Sequence, residues 1–340
     1  MAIEPNKSPS IRELARIAGV SRTTVSLALR NSPSLKVETR RRIQQLAKEE
    51  GYYPDKVTRE LMNHLRSGRR NMVRDKIAYL TCYESKTHWR SVYNDLAYFE
   101  GAKSRGSELG YDVEPIWSME PNMRAERMSK ILRARAIRGV ILEPAAVSHS
   151  RMKLIPSEFA IVAIGDSFEV ANINRVSHNH YSGMRLALEN LLHGDYQSIA
   201  YVNTREQDDR VFNEWNSAFR YMMSSKGKAR LIEPFVPDEW NDEHFVAWYR
   251  DKQPDAILCN VSAPHRALRS AGIDFAANTT FYSLDANATA KDLPNVNGVD
   301  QCAEEVGVAA IELLIWMLNA HNYGPQAKPR YLRVEGSWNA

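Results

Sequence analysis

The chain has 340 residues, more than one hydrophobic core usually supports, so we expect at least two folding units. Apolar residues make up 44% of it and charged residues 25%, which is the balance of a globular protein, and no apolar run is long enough to span a membrane. Cys82, Cys259 and Cys302 are far apart and form no Cys-x-x-Cys pair. Together with the lack of an apolar segment near Met1, they favour reduced thiols in a cytoplasmic protein.

The formal net charge of +4 conceals an asymmetry along the chain. Residues 1–76 carry 17 Lys and Arg against 8 Asp and Glu, whereas the remainder carries 28 against 33. A small basic segment joined to a larger acidic one suggests a module that binds a polyanion. A solvated basic tail would give the same charge count, so charge alone leaves both interpretations open.

The basic segment opens with signals for two short helices and a tight turn. Ser10 and Glu13 have the spacing of a capping box at the start of a helix. Gly19 can adopt the left-handed conformation that ends this helix. Ser21 can then cap a second helix over Arg22–Leu29. The pattern predicts two helices joined by a tight turn.

A third helix is predicted from about Val37 to Glu50, which completes a helix-turn-helix unit. The second helix of such a unit can lie in the DNA major groove, where an arginine can read a guanine through two hydrogen bonds. A three-helix bundle with an incidental positive face is the alternative. It does not explain why the outer face of the second helix is short and polar beside basic residues. The candidate DNA contacts on and beside this helix are Ser21, Arg22, Thr23, Ser26, Leu27 and Arg30.

Residues 10–69 resemble the headpiece of the LacI/GalR family of bacterial transcription regulators. The matching stretches run from Ile11 to Ser26, from Glu38 to Arg40 and from Gly51 to Pro54. The resemblance implies that Arg22, Thr23 and Ser26 contact operator DNA. Two positions depart from the family pattern. Leu27 stands where an arginine is frequent, so a contact with a thymine methyl group is a possible substitute for the arginine contact. Lys36 replaces a serine that is common at the cap of the third helix.

The connector over residues 55–75 is expected to form a hinge helix and linker. In the resembled family, paired hinge helices insert a leucine into the minor groove, a general device for kinking DNA. The extra helical turn in this chain puts Leu61 and Leu65 on one face, and Leu61 is favoured as the wedge by its distance from Pro54. A solvated linker helix or a dimer seam would also place two leucines there.

From Lys76 onward, strand and helix patterns alternate, which predicts parallel sheets covered on both faces. We predict an all-α headpiece over 1–54, followed in the sequence by an α/β effector domain over 76–340. This domain is expected to have two lobes: the first covers roughly 76–175 plus 300–323, and the second covers roughly 176–297 plus 328–337. The resemblance implies the same architecture, that of periplasmic sugar-binding proteins. The predicted strands are Ile77–Cys82, Val113–Trp117, Gly139–Leu142, Ala160–Ile164, Ser198–Val202, Ala229–Phe235, Ala256–Cys259, Thr280–Leu284 and Tyr331–Val334. The predicted helices are Val92–Leu109, Asn122–Ala136, Tyr181–Leu192, Val211–Lys226, Glu239–Asp251, Pro264–Ala271 and Cys302–His321.

Ligands of doubly wound sheets bind beyond the carboxyl ends of the strands, so two facing lobes should enclose a ligand cleft. Trp89 and Trp215 could stack on a sugar, although a buried tryptophan belongs more often to the core. Asp285 is favoured by its match to a Gly-Phe-Asp motif of the resembled family. The candidate effector contacts are Tyr83, Trp89, Glu143, Asp166, Asn203, Arg210, Asn260 and Asp285.

No phosphate-cradling glycine motif and no nucleophile elbow occurs in the sequence. His178 and His180 lack further near ligands for a metal, and the Glu206–Arg210 run is most simply an exposed loop. We therefore expect a non-enzymatic transcriptional regulator without a cofactor. It is expected to act as a homodimeric repressor of a near-palindromic operator, controlled by a small carbohydrate-like effector. A small-solute binding protein without a regulatory role is the alternative, and a carbohydrate-acting enzyme is a third class.

Overall fold

A computed structural model of the chain describes residues 11–29, 35–50, 75–145, 153–168, 172–226, 229–289 and 296–339. The chain divides into two compact units, Met1–Arg74 with Met317–Asn322 and Asp75–Trp316 with Tyr323–Ala340. Within the described residues, no helix is both long enough and apolar enough to cross a membrane.

The first unit contains the three predicted helices: α1 (Ile11–Ala18), α2 (Arg22–Leu29) and α3 (Val37–Glu49). Gly19 has a φ of +65°, and the N–H of Val20 donates to the Ala15 carbonyl at 3.1 Å. This left-handed residue ends α1 and turns the chain into α2, as the sequence predicts. The helices share one core, formed by Leu14, Ala15, Ala18, Val25, Ala28, Ile43 and Ala47.

The second unit contains two six-stranded sheets, each the centre of one lobe. The strands of the first-lobe sheet are β1 (Asp75–Thr81), β2 (Tyr111–Trp117), β3 (Gly139–Leu142), β4 (Ala160–Ile164), β5 (Asn174–His178) and β11 (Tyr331–Val334). They lie in the order β11-β5-β4-β3-β1-β2, and the sheet is parallel throughout.

The strands of the second-lobe sheet are β6 (Ser198–Tyr201), β7 (Arg230–Leu231), β8 (Ala256–Cys259), β9 (Thr280–Ser283), β10 (Asn297–Asp300) and β12 (Ser337–Asn339). They lie in the order β12-β10-β9-β8-β6-β7, and among these strands only β12 runs antiparallel to its neighbour. The α-helices of the unit are α4 (Tyr93–Glu108), α5 (Ala125–Ala134), α6 (His180–His193), α7 (Arg205–Asp209), α8 (Glu214–Lys226), α9 (Asp242–Lys252), α10 (Ala263–Ser270), α11 (Ala286–Thr289) and α12 (Ala303–Asn319).

The sequence-based division into lobes is wrong at two places. Tyr331–Val334 was assigned with 328–337 to the second lobe, but it pairs with β5 in the first-lobe sheet. The predicted lobe boundary between residues 175 and 176 falls inside β5. The sequence did not predict this strand, because Asn174–His178 reads Asn-Arg-Val-Ser-His and lacks an alternation of apolar and polar residues. Asn174, Ser177 and His178 of this strand are buried, and Asn174 accepts a hydrogen bond from the backbone N–H of Arg330 at 2.7 Å.

The chain crosses between the lobes three times: after β5, after β10, and between β11 and β12. The ring of His178 lies where these crossings meet. A Cβ placed on Gly183 would lie 2.6 Å from His178 Nε2, and one on Gly336 would lie 2.7 Å from His178 Cε1 and 2.6 Å from the Asp300 carbonyl oxygen. Both glycines are therefore required by close packing at the crossings.

We expect Gly336→Ala to lower the free energy of unfolding by about 1–3 kcal/mol, because the added methyl group must displace His178 or the backbone at Asp300. Thermal unfolding followed by circular dichroism measures the effect. Gly194→Ala is the matched control, since its Cβ would approach no atom closer than 3.3 Å. Equal losses in the two variants would contradict the packing described at the crossings.

Candidate functional site

The exposed start of α2 carries three of the predicted DNA contacts. Ser21, Arg22 and Thr23 are exposed, whereas Val25 and Ala28 on the opposite face are fully buried. Ser21 Oγ accepts a hydrogen bond from the backbone N–H of Thr24 at 3.1 Å, so Ser21 caps the helix as predicted. Packing of the opposite face thus leaves the first turn of α2 exposed on the surface.

Two side chains of α3 hold the ends of the other helices. Arg42 Nη2 donates to the Ala18 carbonyl at 3.2 Å, and Gln44 Nε2 donates to the Ala28 carbonyl at 2.9 Å. These bonds satisfy carbonyls that a helix end leaves without partners. At the start of α3, Lys36 provides no side-chain cap, consistent with the loss of the family's serine.

The remaining predicted DNA contacts are described only in part. Leu27 lies half-buried on α2. Ser26 belongs to α2, but its side chain lies outside the described residues, as do Arg30, Leu61 and Leu65. Their roles therefore stay predictions.

Glu143 follows β3 at the carboxyl edge of the first-lobe sheet and is fully buried. Its Oε2 accepts from the backbone N–H of Cys82 at 3.0 Å, while its Oε1 has no hydrogen-bond partner. Burial, with a smaller contribution from the nearby Asp95 charge, raises the pKa of Glu143 to about 9. The carboxyl group therefore holds a proton at neutral pH.

Asp95, on the first turn of α4, is a buried acid at the same edge. Tyr83 Oη donates to Asp95 Oδ2 at 2.6 Å. Burial raises the pKa of Asp95 to about 6, while the hydrogen bond from Tyr83 and the positive charge of Arg210 act to lower it. Arg210 belongs to the second lobe, so its charge acts on Asp95 from the opposite lobe. Sequence reasoning missed Asp95, although an acid on the buried face of an amphipathic helix was a usable signal.

A direct hydrogen bond joins the lobes at Asp285, the residue that the sequence favoured most. Asn94 Nδ2, on α4, donates to Asp285 Oδ2 at 2.6 Å, and the backbone N–H of Ala288 donates to Asp285 Oδ1 at 3.3 Å. Asp285 is only 8% exposed, and burial raises its pKa to about 7. Asn94 was not predicted, because nothing in its local sequence indicates a partner 191 residues away.

The segment after β6 forms a buried polar network rather than the exposed loop that the sequence predicted. Residues 205–209 form α7, and Asp208 is fully buried. Its Oδ1 accepts hydrogen bonds from Tyr201 Oη and, at 2.9 Å, from Asn203 Nδ2. Helix α8 then begins at Glu214 and not at Val211, since Phe212 and Asn213 have positive φ angles of 52° and 58°. This break places Arg210 between two helices, where its charge acts on the first lobe.

Trp89 and Trp215 lie in the core. Trp89 is 2% exposed and packs edge-on against Phe99 at 5.0 Å, and Trp215 is 3% exposed and packs against His180 at 4.9 Å. Neither indole offers an open face for stacking on a sugar. The role of Trp89 as an effector contact therefore stays a prediction, and the structure shows it packed beside Tyr79 and Phe99.

Asp166 is held within the first lobe. Its Oδ2 accepts from the hydroxyl of Tyr331 on β11, and Arg175 Nη1 lies 3.9 Å from its Oδ1. Burial raises its pKa. The strand that the sequence placed in the wrong lobe thus provides the main partner of this acid.

Asn260 completes the predicted set at the edge of the second-lobe sheet. It follows β8, is half-buried, and its Oδ1 has no hydrogen-bond partner.

Burial lowers the pKa of His178 to about 4 and that of His180 well below its usual value. Over the residues that the structure describes, no group of three or more His, Cys, Asp or Glu side chains could hold a metal ion.

Glu143→Gln should raise the melting temperature relative to the unmodified chain more at about pH 8 than at about pH 5. A carboxyl whose pKa is raised by folding keeps a proton that the unfolded chain releases, so it costs stability as the pH rises from 4.5 towards 9, and glutamine removes this dependence. Thermal scans across that range test the sign. Glu100→Gln, on the exposed face of α4, should show no such trend, and a parallel response of both variants would contradict the burial of an uncompensated acid at Glu143.

Comparison with known proteins agrees with this geometry. Residues 10–55 match the model of the family described as bacterial regulatory proteins, lacI family. No curated protein sequence matches the chain. A solved complex of the transcriptional regulator CelR with cellobiose is 21% identical over 98% of each chain, with a TM-score of 0.59.

Two further solved structures have the same fold. The lac repressor dimer bound to operator and the anti-inducer ONPF is 17% identical over 98% of each chain, with a TM-score of 0.54. A LacI-family transcriptional regulator from Rhizobium etli is 14% identical, covers 78% of this chain and 97% of its own, and has a TM-score of 0.60. Residues 10–55 thus match the lacI family model and the chain has the fold of these solved regulators, which confirms its resemblance to the LacI/GalR family of transcriptional regulators.

Proposed function

We propose that this protein is a ligand-responsive repressor that binds a near-palindromic operator as a homodimer in the cytoplasm. The observation that carries the proposal is the exposed first turn of α2, with Arg22 and Thr23, on a packed headpiece that matches the lacI family model. A two-fold dimer would place two such helices in successive major grooves. The absence of catalytic motifs from the sequence and the regulator fold both favour a non-enzymatic role.

In this proposal, Arg22 reads a guanine through its guanidinium group, and Thr23 and Ser26 contact adjacent bases. Leu27 contacts a thymine methyl group in place of the family's arginine. Ser21 and Arg30 bind the phosphate backbone on either side of the helix. The headpiece would thereby combine salt-dependent binding to phosphates with a preference for a short base sequence.

The effector is proposed to bind between the lobes at Tyr83, Glu143, Asn203, Arg210, Asn260 and Asp285, with Asp95 and Asn94 added by the structure. Trp89 and Asp166 would support, from within the first lobe, the residues that contact the effector. Support comes from the buried polar groups that the strand ends bring to this edge, and from the similarity in fold to a regulator solved with cellobiose. We therefore propose a small polar effector of carbohydrate type.

The hydrogen bond between Asn94 and Asp285 suggests how the effector is coupled to DNA. It stabilises one relative position of the lobes, and an effector that engages Asp285 competes with Asn94 for the same carboxylate. Because a ligand shifts a conformational equilibrium only through its different affinity for the two states, this competition supplies the required difference. A change in lobe position would then alter the ordering of the hinge over residues 55–75.

Arg22→Ala should weaken binding to the preferred operator by about tenfold or more and relax the base preference at one position of each half-site. The operator is first enriched from random duplexes by the full chain, and affinities are then measured by fluorescence anisotropy. Arg41→Ala, which removes an exposed cation of α3, should keep the base preference. Enrichment of no two-fold symmetric site would contradict the proposal.

Leu61→Ala should reduce the operator bend and the affinity more than Leu65→Ala, because we propose Leu61 as the wedge that unstacks a base step. Circular-permutation gel shifts measure the bend for each variant beside the unmodified chain. A bend that neither substitution changes would assign both leucines to a linker helix or a dimer seam.

A further inference from the structure

An ion pair joins the two lobes at a second place, besides the hydrogen bond between Asn94 and Asp285. Arg333 lies on β11 of the first-lobe sheet, and its Nη1 donates to Oε2 of Glu214, the first residue of α8 in the second lobe. The side chains of Arg333 and Glu214 are only 27% and 19% exposed. Because partial burial limits screening by water, the attraction between these charges is stronger than in a fully exposed ion pair.

The first-lobe end of this ion pair is connected to Asp166, one of the candidate effector contacts. Arg333 Cζ lies 4.4 Å from the centre of the Tyr331 ring, which is a cation–π contact. The Tyr331 hydroxyl group donates to Asp166 Oδ2 and lies 3.0 Å from Ser177 Oγ. A series of direct contacts therefore runs from Asp166 through Tyr331 and Arg333 to the second lobe.

The second-lobe end is fixed to the core of its own lobe. Glu214 follows the two left-handed residues Phe212 and Asn213, and the backbone N–H of Asn213 donates to the Asp208 carbonyl at 2.7 Å. The next residue, Trp215, is 3% exposed and belongs to the hydrophobic core of the second lobe. Glu214 therefore moves with α8, and the ion pair joins a strand of one lobe to a packed helix of the other.

The order of the strands places the ion pair and the Asn94–Asp285 hydrogen bond on either side of candidate effector residues. In the first-lobe sheet, β4 and β3 lie between β11, which carries Arg333, and β1, which precedes the helix of Asn94. In the second-lobe sheet, β8 lies between β6, which precedes Glu214, and β9, which precedes Asp285. The candidate effector contacts that follow these intervening strands are Glu143, Asp166 and Asn260.

We propose that the ion pair between Arg333 and Glu214 is a latch that keeps the lobes in one relative position when no effector is bound. An effector between the lobes then acts against two contacts, because it competes with Asn94 and must also displace the elements that the latch joins. This inference rests on the proposed function for its effect on DNA. It adds a contact outside the set of effector residues that sets the equilibrium between lobe positions, so loss of the latch should move the lobes without any ligand.

The operator affinity of the ligand-free full chain tests the latch. Glu214→Gln and Arg333→Gln should each change the affinity for the enriched operator by about threefold or more and in the same direction, because each substitution releases the same lobe position. The double variant should show no larger change than either single variant. Asn94→Ala should shift the affinity in that same direction, since the hydrogen bond that it removes stabilises the same lobe position.

Arg220→Gln is the matched control. Arg220 lies on the same helix as Glu214 and also forms an ion pair with a glutamate, Glu233, but both partners belong to the second lobe. This substitution removes a cation of α8 without breaking a contact between the lobes. We therefore expect it to leave the operator affinity unchanged.

Fluorescence energy transfer measures the position of the lobes in the same variants without DNA. The dyes are attached through non-natural amino acids at the exposed positions Lys130 on α5 and Arg250 on α9, and labelled chain is diluted into unlabelled chain. We expect Glu214→Gln and Arg333→Gln to change the transfer efficiency and Arg220→Gln to leave it unchanged.

Unchanged transfer or unchanged operator affinity in the two latch variants would overturn the inference. Additive effects in the double variant, or an opposite shift in Asn94→Ala, would also overturn it. If the unmodified chain binds no DNA, the proposed function is refuted, and the transfer measurement alone then decides whether Arg333 and Glu214 hold the lobes together.

Discussion

Burial of carboxyl groups between two sheets is the constraint on which the effector domain depends. The three crossings tie the lobes together, and the strand ends then bring Glu143 and Asp285 to one cleft beside Asp95 from α4. Water is excluded from these groups, so their charge must be balanced by protons, by Arg210 or by a ligand. In the proposed function, the ligand and the position of the lobes depend on the same buried carboxyl groups.

The headpiece follows a simpler physical logic. Its small core fixes three helices, and α3 satisfies the carbonyl ends of the other two, so that α2 is presented as a rigid element. The exposed residues at the start of α2 are short or cationic, which suits close approach to a polyanion. In the proposed mechanism, the hinge responds to the position of the lobes, and the ligand acts by competing with Asn94 for Asp285.

The sequence predicted the features that depend on local patterns. Capping at Ser21, the turn at Gly19 and the alternation of apolar strands with amphipathic helices were all visible, because each is encoded within a few residues. What the sequence could not show depends on distant pairing. The polar strand β5 is buried by neighbours such as β11, which follows it by about 150 residues, and Asn94 meets Asp285 only after the lobes form. Asp208 was taken for a loop residue, since its burial requires Tyr201 and Asn203.

Ligand control of DNA binding is tested most directly by the operator affinity of the full chain, measured by fluorescence anisotropy against salt concentration with and without a bound cleft ligand. We expect the affinity to fall steeply with salt in both cases, because contacts with phosphates supply most of the binding. We also expect the ligand to change the affinity for the operator by about tenfold or more while leaving binding to random duplex unaltered. Operator affinity that is identical with the cleft filled or empty would contradict the claim that this cleft controls DNA binding.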